Sequence, residues 1–167
     1  MTLGKSGRTC DHRFMTLDDI VNLVGSFDGT LAQRPREGDG TPELAWGDVF
    51  FYYSPDGTVP TSTQPFATIV TKNYPGDESS RLDRPDAFRV NVIAGKQEFE
   101  RLLGVPPREA AHAPQADTDD TLAAHPHYGT AGWLSVVNPS SRTESQIGEL
   151  LESAHRVAKA RYERRQH

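Results

Sequence analysis

Apolar residues recur along this chain with two different periods, and the switches between them set the expected elements. Ile20, Leu23, Val24 and Phe27 fall at i, i+3, i+4 and i+7, the spacing of one buried helical stripe. Thr16 stands before them as an N-cap, with Asp18 and Asp19 in the first turn, where negative charge suits the helix dipole. Asp28-Gly29 closes the segment. The period then shortens to two. Thr30 to Arg34 predicts a short strand, and Leu44 to Tyr53 a longer one rich in aromatics. After the turn residues Ser54-Pro55-Asp56-Gly57, Phe66 to Lys72 predicts a third strand, antiparallel to the second. Phe88 to Ile93 alternates most cleanly, with Phe88, Val90 and Val92 on one face and Arg89, Asn91 and Ile93 on the other. Gly95 breaks that strand. Phe99, Leu102 and Leu103 then give a short helix its apolar face, with Gly104 as the C′ residue. Trp133 to Asn138 predicts the last strand. Ile147, Leu150, Leu151, Ala154 and Ala158 stripe a C-terminal helix, with Thr143 and Gln146 as a capping-box pair.

Three segments follow neither period. Pro35 to Pro42 and Asn73 to Pro85 read as solvent loops, and Val105 to Ala124 as a mobile lid or a functional loop. Helices at both ends with strands between them predict an α+β fold, an antiparallel sheet of about five strands covered on one face by the N- and C-terminal helices. The other sheet face is then partly open and is the natural place for a ligand or partner. Residues 1–14 lack periodicity and read as a flexible tail ahead of a single domain over 15–165. Met15-Thr16-Leu17 repeats Met1-Thr2-Leu3, which points to Met15 as the natural start.

Several blocks in this order carry a family resemblance. His125-Pro126-His127-Tyr128, the strand Trp133 to Pro139 and the helix segment Leu150 to His155 resemble the YjbR/MmcQ-like proteins, whose fold is related to the frataxin/CyaY architecture. Pro65 to Lys72, Leu82-Asp83-Arg84-Pro85 and Phe88 to Asn91 are similar to an actinobacterial family of unknown function. The resemblance spans about Met15 to Arg164. It implies a YjbR/CyaY-like fold and hints at antibiotic resistance or secondary metabolism, from the gene cluster that gives one group its name. The wider group also carries a DNA-binding label. No catalytic residue comes with the resemblance.

Composition narrows the classes. No run approaches the ~20 apolar residues of a membrane helix, and the N-terminus lacks the apolar centre of a secretory signal. Cys10 is the only cysteine, which excludes an internal disulfide and a cysteine metal cluster and fits a cytoplasmic protein. The net charge of -5 argues against nucleic acid as a partner. Arg156, Lys159, Arg161, Arg164 and Arg165 crowd the C-terminal helix end, where they complement its dipole.

Candidate chemistry centres on His125 to Pro139, a Pro- and Gly-bounded loop that carries two histidines and a tyrosine into a strand. His127 and Tyr128 are the candidates for catalytic acid/base work. His125 is read as structural, its imidazole hydrogen-bonding backbone. Lys72, Arg84, Arg89 and Asn91 are candidates to hold an anion; the alternative is a solvated face paired with Asp77, Glu78, Asp83 and Asp86. Trp46, Tyr53 and Trp133 are candidates to floor a pocket for a planar ligand, although strand aromatics are more often core. His125 and His127 are two ligands where a metal needs more, so no metal is expected. No cofactor is expected either, since Gly95-Lys96 lacks the upstream glycine of a phosphate loop. Ser135 also lacks the flanking glycines of a nucleophile elbow. The leading expectation is a small-molecule-binding domain, monomer or homodimer, for a small organic or anionic ligand, with no membrane partner. A cofactor-independent enzyme using His127 and Tyr128 is the alternative, and a DNA-binding module the third.

Overall fold

Thr16 starts the first helix with a reciprocal cap: its hydroxyl accepts from the Asp19 N–H, and the Asp19 carboxylate accepts from the Thr16 N–H. The structure is a computed structural model that describes residues 15–166. The tail expected over residues 1–14, with Cys10, lies outside the described residues. Three helices, α1 (Leu17–Gly25), α2 (Lys96–Leu103) and α3 (Glu144–Arg165), accompany six strands. The strands are β1 (Thr30–Gln33), β2 (Val49–Tyr53), β3 (Ala67–Val70), β4 (Arg89–Ile93), β5 (Ala123–Ala124) and β6 (Trp133–Val137). They form one sheet in the order β1-β2-β3-β4-β6-β5, every neighbour antiparallel. This is the expected α+β layer, with one strand more than the sequence suggested. The addition is the two-alanine β5, whose residues carry no strand preference of their own.

Directly opposed residues share a face in such a sheet. The rows Val49–Ile69–Val90–Val136 and Phe51–Ala67–Val92–Leu134–Ala124 therefore run across one side. All are buried, against Ile20 and Val24 of α1, Phe99 of α2 and Ile147, Leu150 and Leu151 of α3. Each large side chain removed from water in this layer contributes about 1.5–3 kcal/mol. His155 of α3 is buried among the rings of Phe27, Tyr53 and Phe66, with its Nε2 2.6 Å from the Asp28 carbonyl oxygen. Among the described residues no helix is long and apolar enough to cross a membrane.

The Val105–Ala124 stretch is packed rather than lid-like. A 3-10 helix covers Pro107–His112, and Ala110, Ala113 and Ala116 are buried. Gln115 donates from its amide to the carbonyls of Ala110 and Ala113, at 3.1 and 2.7 Å. Alanine buries without announcing a period, which is why the segment reads as loose in sequence. Asp120 near its end sits at φ 51° and caps α3 from outside. Its carboxylate accepts the N–H groups of Ser140, Arg142 and Thr143 and the Thr143 hydroxyl, at 2.6–3.1 Å. The Thr143–Gln146 capping box is not formed. Thr143 makes no side-chain cap bond within the helix, because its hydroxyl donates to Asp120.

Candidate ligand-binding cavity on the second sheet face

The second sheet face begins from a different row. Phe50, Thr68, Asn91, Ser135 and Ala123 stand opposite one another across β2, β3, β4, β6 and β5, and Val70, Arg89 and Val137 form the next row. The 73–87 loop and the packed 114–123 stretch cover the β6 side of this face. There Leu82, Ala87, Ala116, Ala123 and Val137 make a small second core. Over β2 and β3 the face is less covered, with Phe50, Thr68 and Val70 half-buried, and a cavity of about 550 Å³ lies there, reaching Arg89 and Asn91 of β4.

Arg89 stands at the boundary of the two halves, 1% exposed. Its guanidinium meets the Asp77 carboxylate with two parallel bonds of 2.9 and 2.7 Å, donates a third to Ser80 Oγ at 2.9 Å, and a fourth from Nε to Asn91 Oδ1 at 2.9 Å. Four of the five guanidinium N–H groups are thereby used, the kind of satisfaction that makes a buried pair viable. Burial alone would raise the Asp77 carboxyl; the hydrogen bonds and charge of Arg89 outweigh that and hold it below the usual carboxylate range. Asn91 extends the network. Its Oδ1 also accepts the Ser135 hydroxyl at 2.7 Å, and its amide donates to Thr68 Oγ1 at 3.0 Å.

The His125–Tyr128 turn forms one wall. Tyr128 and Trp133 close it through Trp133 N–H to the Tyr128 carbonyl, 3.1 Å, and His125 N–H to the Trp133 carbonyl, 3.0 Å. Gly129 lets it seat, since a Cβ there would lie 2.9 Å from the Ala110 Cβ and 3.2 Å from that of Ala124. His125 Nδ1 accepts the backbone N–H groups of both His127 and Tyr128, at 3.0 Å each. Those donors fix the proton on Nε2. Burial, and then the Arg89 charge, push the His125 pKa down to about 3, so the ring is neutral at pH 7. The ring packs 4.8 Å from Tyr128 and 6.2 Å from Trp133, centre to centre.

Arg89, Asn91, His127, Tyr128 and Trp133 thus line one cavity. The other sequence candidates lie elsewhere. The Lys72 ammonium is held by Asp48 at 3.2 Å and by the Trp46 carbonyl. Trp46 donates its indole N–H to the Thr41 carbonyl, 3.2 Å. Arg84 pairs with Asp119 in a separate cleft bordered by Met15 and Pro139. Tyr53 faces α3, 5.2 Å from the Tyr162 ring. Asp48, fully buried, accepts bonds from Thr71, Lys72 and Tyr74 and thereby fixes the Tyr74 ring at the cavity wall. Burial, then the Asp48 bond and charge, push the Tyr74 hydroxyl far above its ordinary range, which keeps it a donor.

The family model for DUF6194, a family of unknown function, matches residues 15–167. The chain belongs to the DUF6194 family. No curated protein matches it. Among solved structures, a Deinococcus radiodurans protein, DR2400, described as a DUF419 domain, is similar at 16% identity with a TM-score of 0.46. That alignment covers 85% of this chain and 77% of the other.

Several lining residues of this DUF6194 chain were not singled out from sequence. Thr68 was within reach, because Thr68 and Val70 alternate with the apolar Ala67 and Ile69. The strand expected from Leu44 begins only at Val49, and Leu44 lies in a 3-10 turn over Glu43–Ala45, so it enters the lining from a connection, as Tyr74 does. Among the described residues no group of three or more His, Cys, Asp or Glu side chains is placed to hold a metal ion.

Proposed function

We propose that this chain is a cytoplasmic small-molecule-binding domain of the YjbR/MmcQ-like type, monomeric or homodimeric, whose ligand occupies the cavity over β2, β3 and β4. The carrying observation is a floor that mixes polar and apolar side chains. Thr68, Asn91 and Arg89 share the sheet floor with Phe50, Val70 and Trp133, and Leu44, Tyr74 and Tyr128 stand around it. A few fixed polar groups within a mainly apolar concavity are what small-molecule sites use to orient a ligand, and about 550 Å³ falls within their usual ~300–1,000 Å³ range. Leu44 and Tyr128 are exposed while flanking the same opening, and a ligand would give both an apolar contact. A setting in antibiotic resistance or secondary metabolism rests on the resemblance carried by residues 125–128, 133–139 and 150–155. The chain's two tryptophans allow a direct test, because Trp133 lines the cavity and Trp46 does not. In a Trp46→Phe variant, a library of neutral aromatic compounds should contain members that quench or shift Trp133 emission saturably. Saturable binding that leaves Trp133 emission unchanged would place the ligand elsewhere.

A second reading, a cofactor-independent enzyme with His127 as acid/base and Tyr128 as proton donor, draws support from both side chains lining this cavity.

A further inference from the structure

The orientation of the Asn91 amide in the cavity floor is fixed by Arg89, whose Nε–H can only donate. Arg89 Nε and the Ser135 hydroxyl occupy Asn91 Oδ1, so the amide nitrogen of Asn91 must face the other way, toward Thr68. One amide hydrogen serves Thr68 Oγ1 and the second is unspent. Thr68 Oγ1, having accepted, keeps its own hydroxyl hydrogen to give. His125, 8% exposed, has Nδ1 filled by two backbone N–H groups and makes no bond from Nε2–H to the described residues. Both oxygens of Asp77 are engaged by the guanidinium. On the floor, Thr68, Asn91 and His125 each keep one donor, as does the fifth N–H of Arg89, while His127, Tyr128 and Gln64 stand exposed at the rim.

Charge narrows the ligand further. Arg89 and Asp77 cancel, His125 is neutral, and His127 stands exposed at the rim rather than on the floor. The two other cations suited to an anion, Lys72 and Arg84, are paired with Asp48 and Asp119 away from the cavity. A carboxylate placed here would lose its hydration without meeting a counter-charge.

Resting on the cavity reading above, we propose that the ligand class is a neutral aromatic molecule carrying a carbonyl-type acceptor, an aryl ketone or amide. The acceptor oxygen takes hydrogen bonds from Thr68, Asn91 and His125, and the ring lies between Phe50, Tyr128 and Trp133. An amine or polyol, which brings donors to a floor of donors, is disfavoured.

Four probes that share one ring system test this on the full chain by NMR titration: 2-acetylnaphthalene, 2-ethylnaphthalene, 2-naphthoate and 2-naphthylmethylammonium. The ketone should bind about tenfold tighter than the ethyl compound, the effect of one well-made hydrogen bond, and tighter than either ion. Thr68→Val should cut the ketone's advantage over the ethyl compound several-fold while leaving the latter's affinity unchanged, and Thr68→Ser should restore it. Equal binding of ketone and hydrocarbon, or tighter binding of either ion, overturns the ligand class and leaves the cavity reading standing. If none of the four binds, the cavity reading falls and the ligand class falls with it.

Discussion

Arg89 illustrates how far single residues were readable. Strict alternation in Phe88 to Ile93 is by itself enough to place Arg89 and Asn91 on one face. Asp77 was among four carboxylates that could answer Arg89, and only the fold selects it, because the pairing spans twelve residues through a loop. Lys72 and Tyr53 were less readable. Every residue of Val49–Tyr53 is apolar or aromatic, so the strand's parity is silent about which set faces α3. His125 carries the prediction at this scale. Its folded pKa of about 3 lies below the ordinary 6.5. Between those values the unfolded chain binds a proton there and the folded chain does not. Stability is therefore fully present above about pH 6.5 and falls as pH drops, by about 1.4 kcal/mol per unit from this one group. The carboxylates held low, Asp77 and Asp120, act only nearer their own range. Urea unfolding at pH 7, 6 and 5 should show this slope. His125→Asn, which can still accept the two backbone N–H groups, should flatten it relative to the parent chain. Parallel slopes in the two proteins would mean that His125 is not the titrating group.

At the level of elements, hydrophobic spacing located all three helices and five strands, and it failed where contacts rather than periods decide. β5 exists because Ala123 and Ala124 pair with Ser135 and Leu134. The start of α3 is the sharper case. Thr143 with Gln146 has the sequence form of a capping box, yet the cap is Asp120, about twenty residues upstream and held at positive φ. Burial tends to raise the Asp120 carboxyl, and the hydrogen bonds from Thr143, Ser140 and Arg142 overcome it. Asp120→Ala should accordingly cost about 1–2 kcal/mol in chemical denaturation, whereas Gln146→Ala should stay within about 0.5 kcal/mol. The reverse order would return the cap to the local box.

For the whole molecule, the two sheet faces do different work. One is a continuous apolar layer against three helices, which explains why Leu, Ile and Val periodicity was enough to give the α+β class. The other is divided by the Arg89–Asp77 pair into a small core under two loops and a less covered part that holds the cavity. That division was not legible, since it depends on where loops without a period come to rest. The proposed function depends on it. The basic end of α3 lies on the helix side, with Lys159 paired to Asp28 and Arg165 bonded to Thr63. A partner that used those charges would leave the cavity untouched. The most direct measurement is an NMR titration of the 15N-labelled chain with a neutral aryl ketone such as 2-acetylnaphthalene. Saturable shifts are expected at the Trp133 indole, the Asn91 side-chain amide and the His125–Tyr128 backbone. Shifts confined to the helix side, where Tyr53, Phe66 and Arg161 line a separate groove against α3, or none at saturating ketone, would contradict a ligand site on the second sheet face.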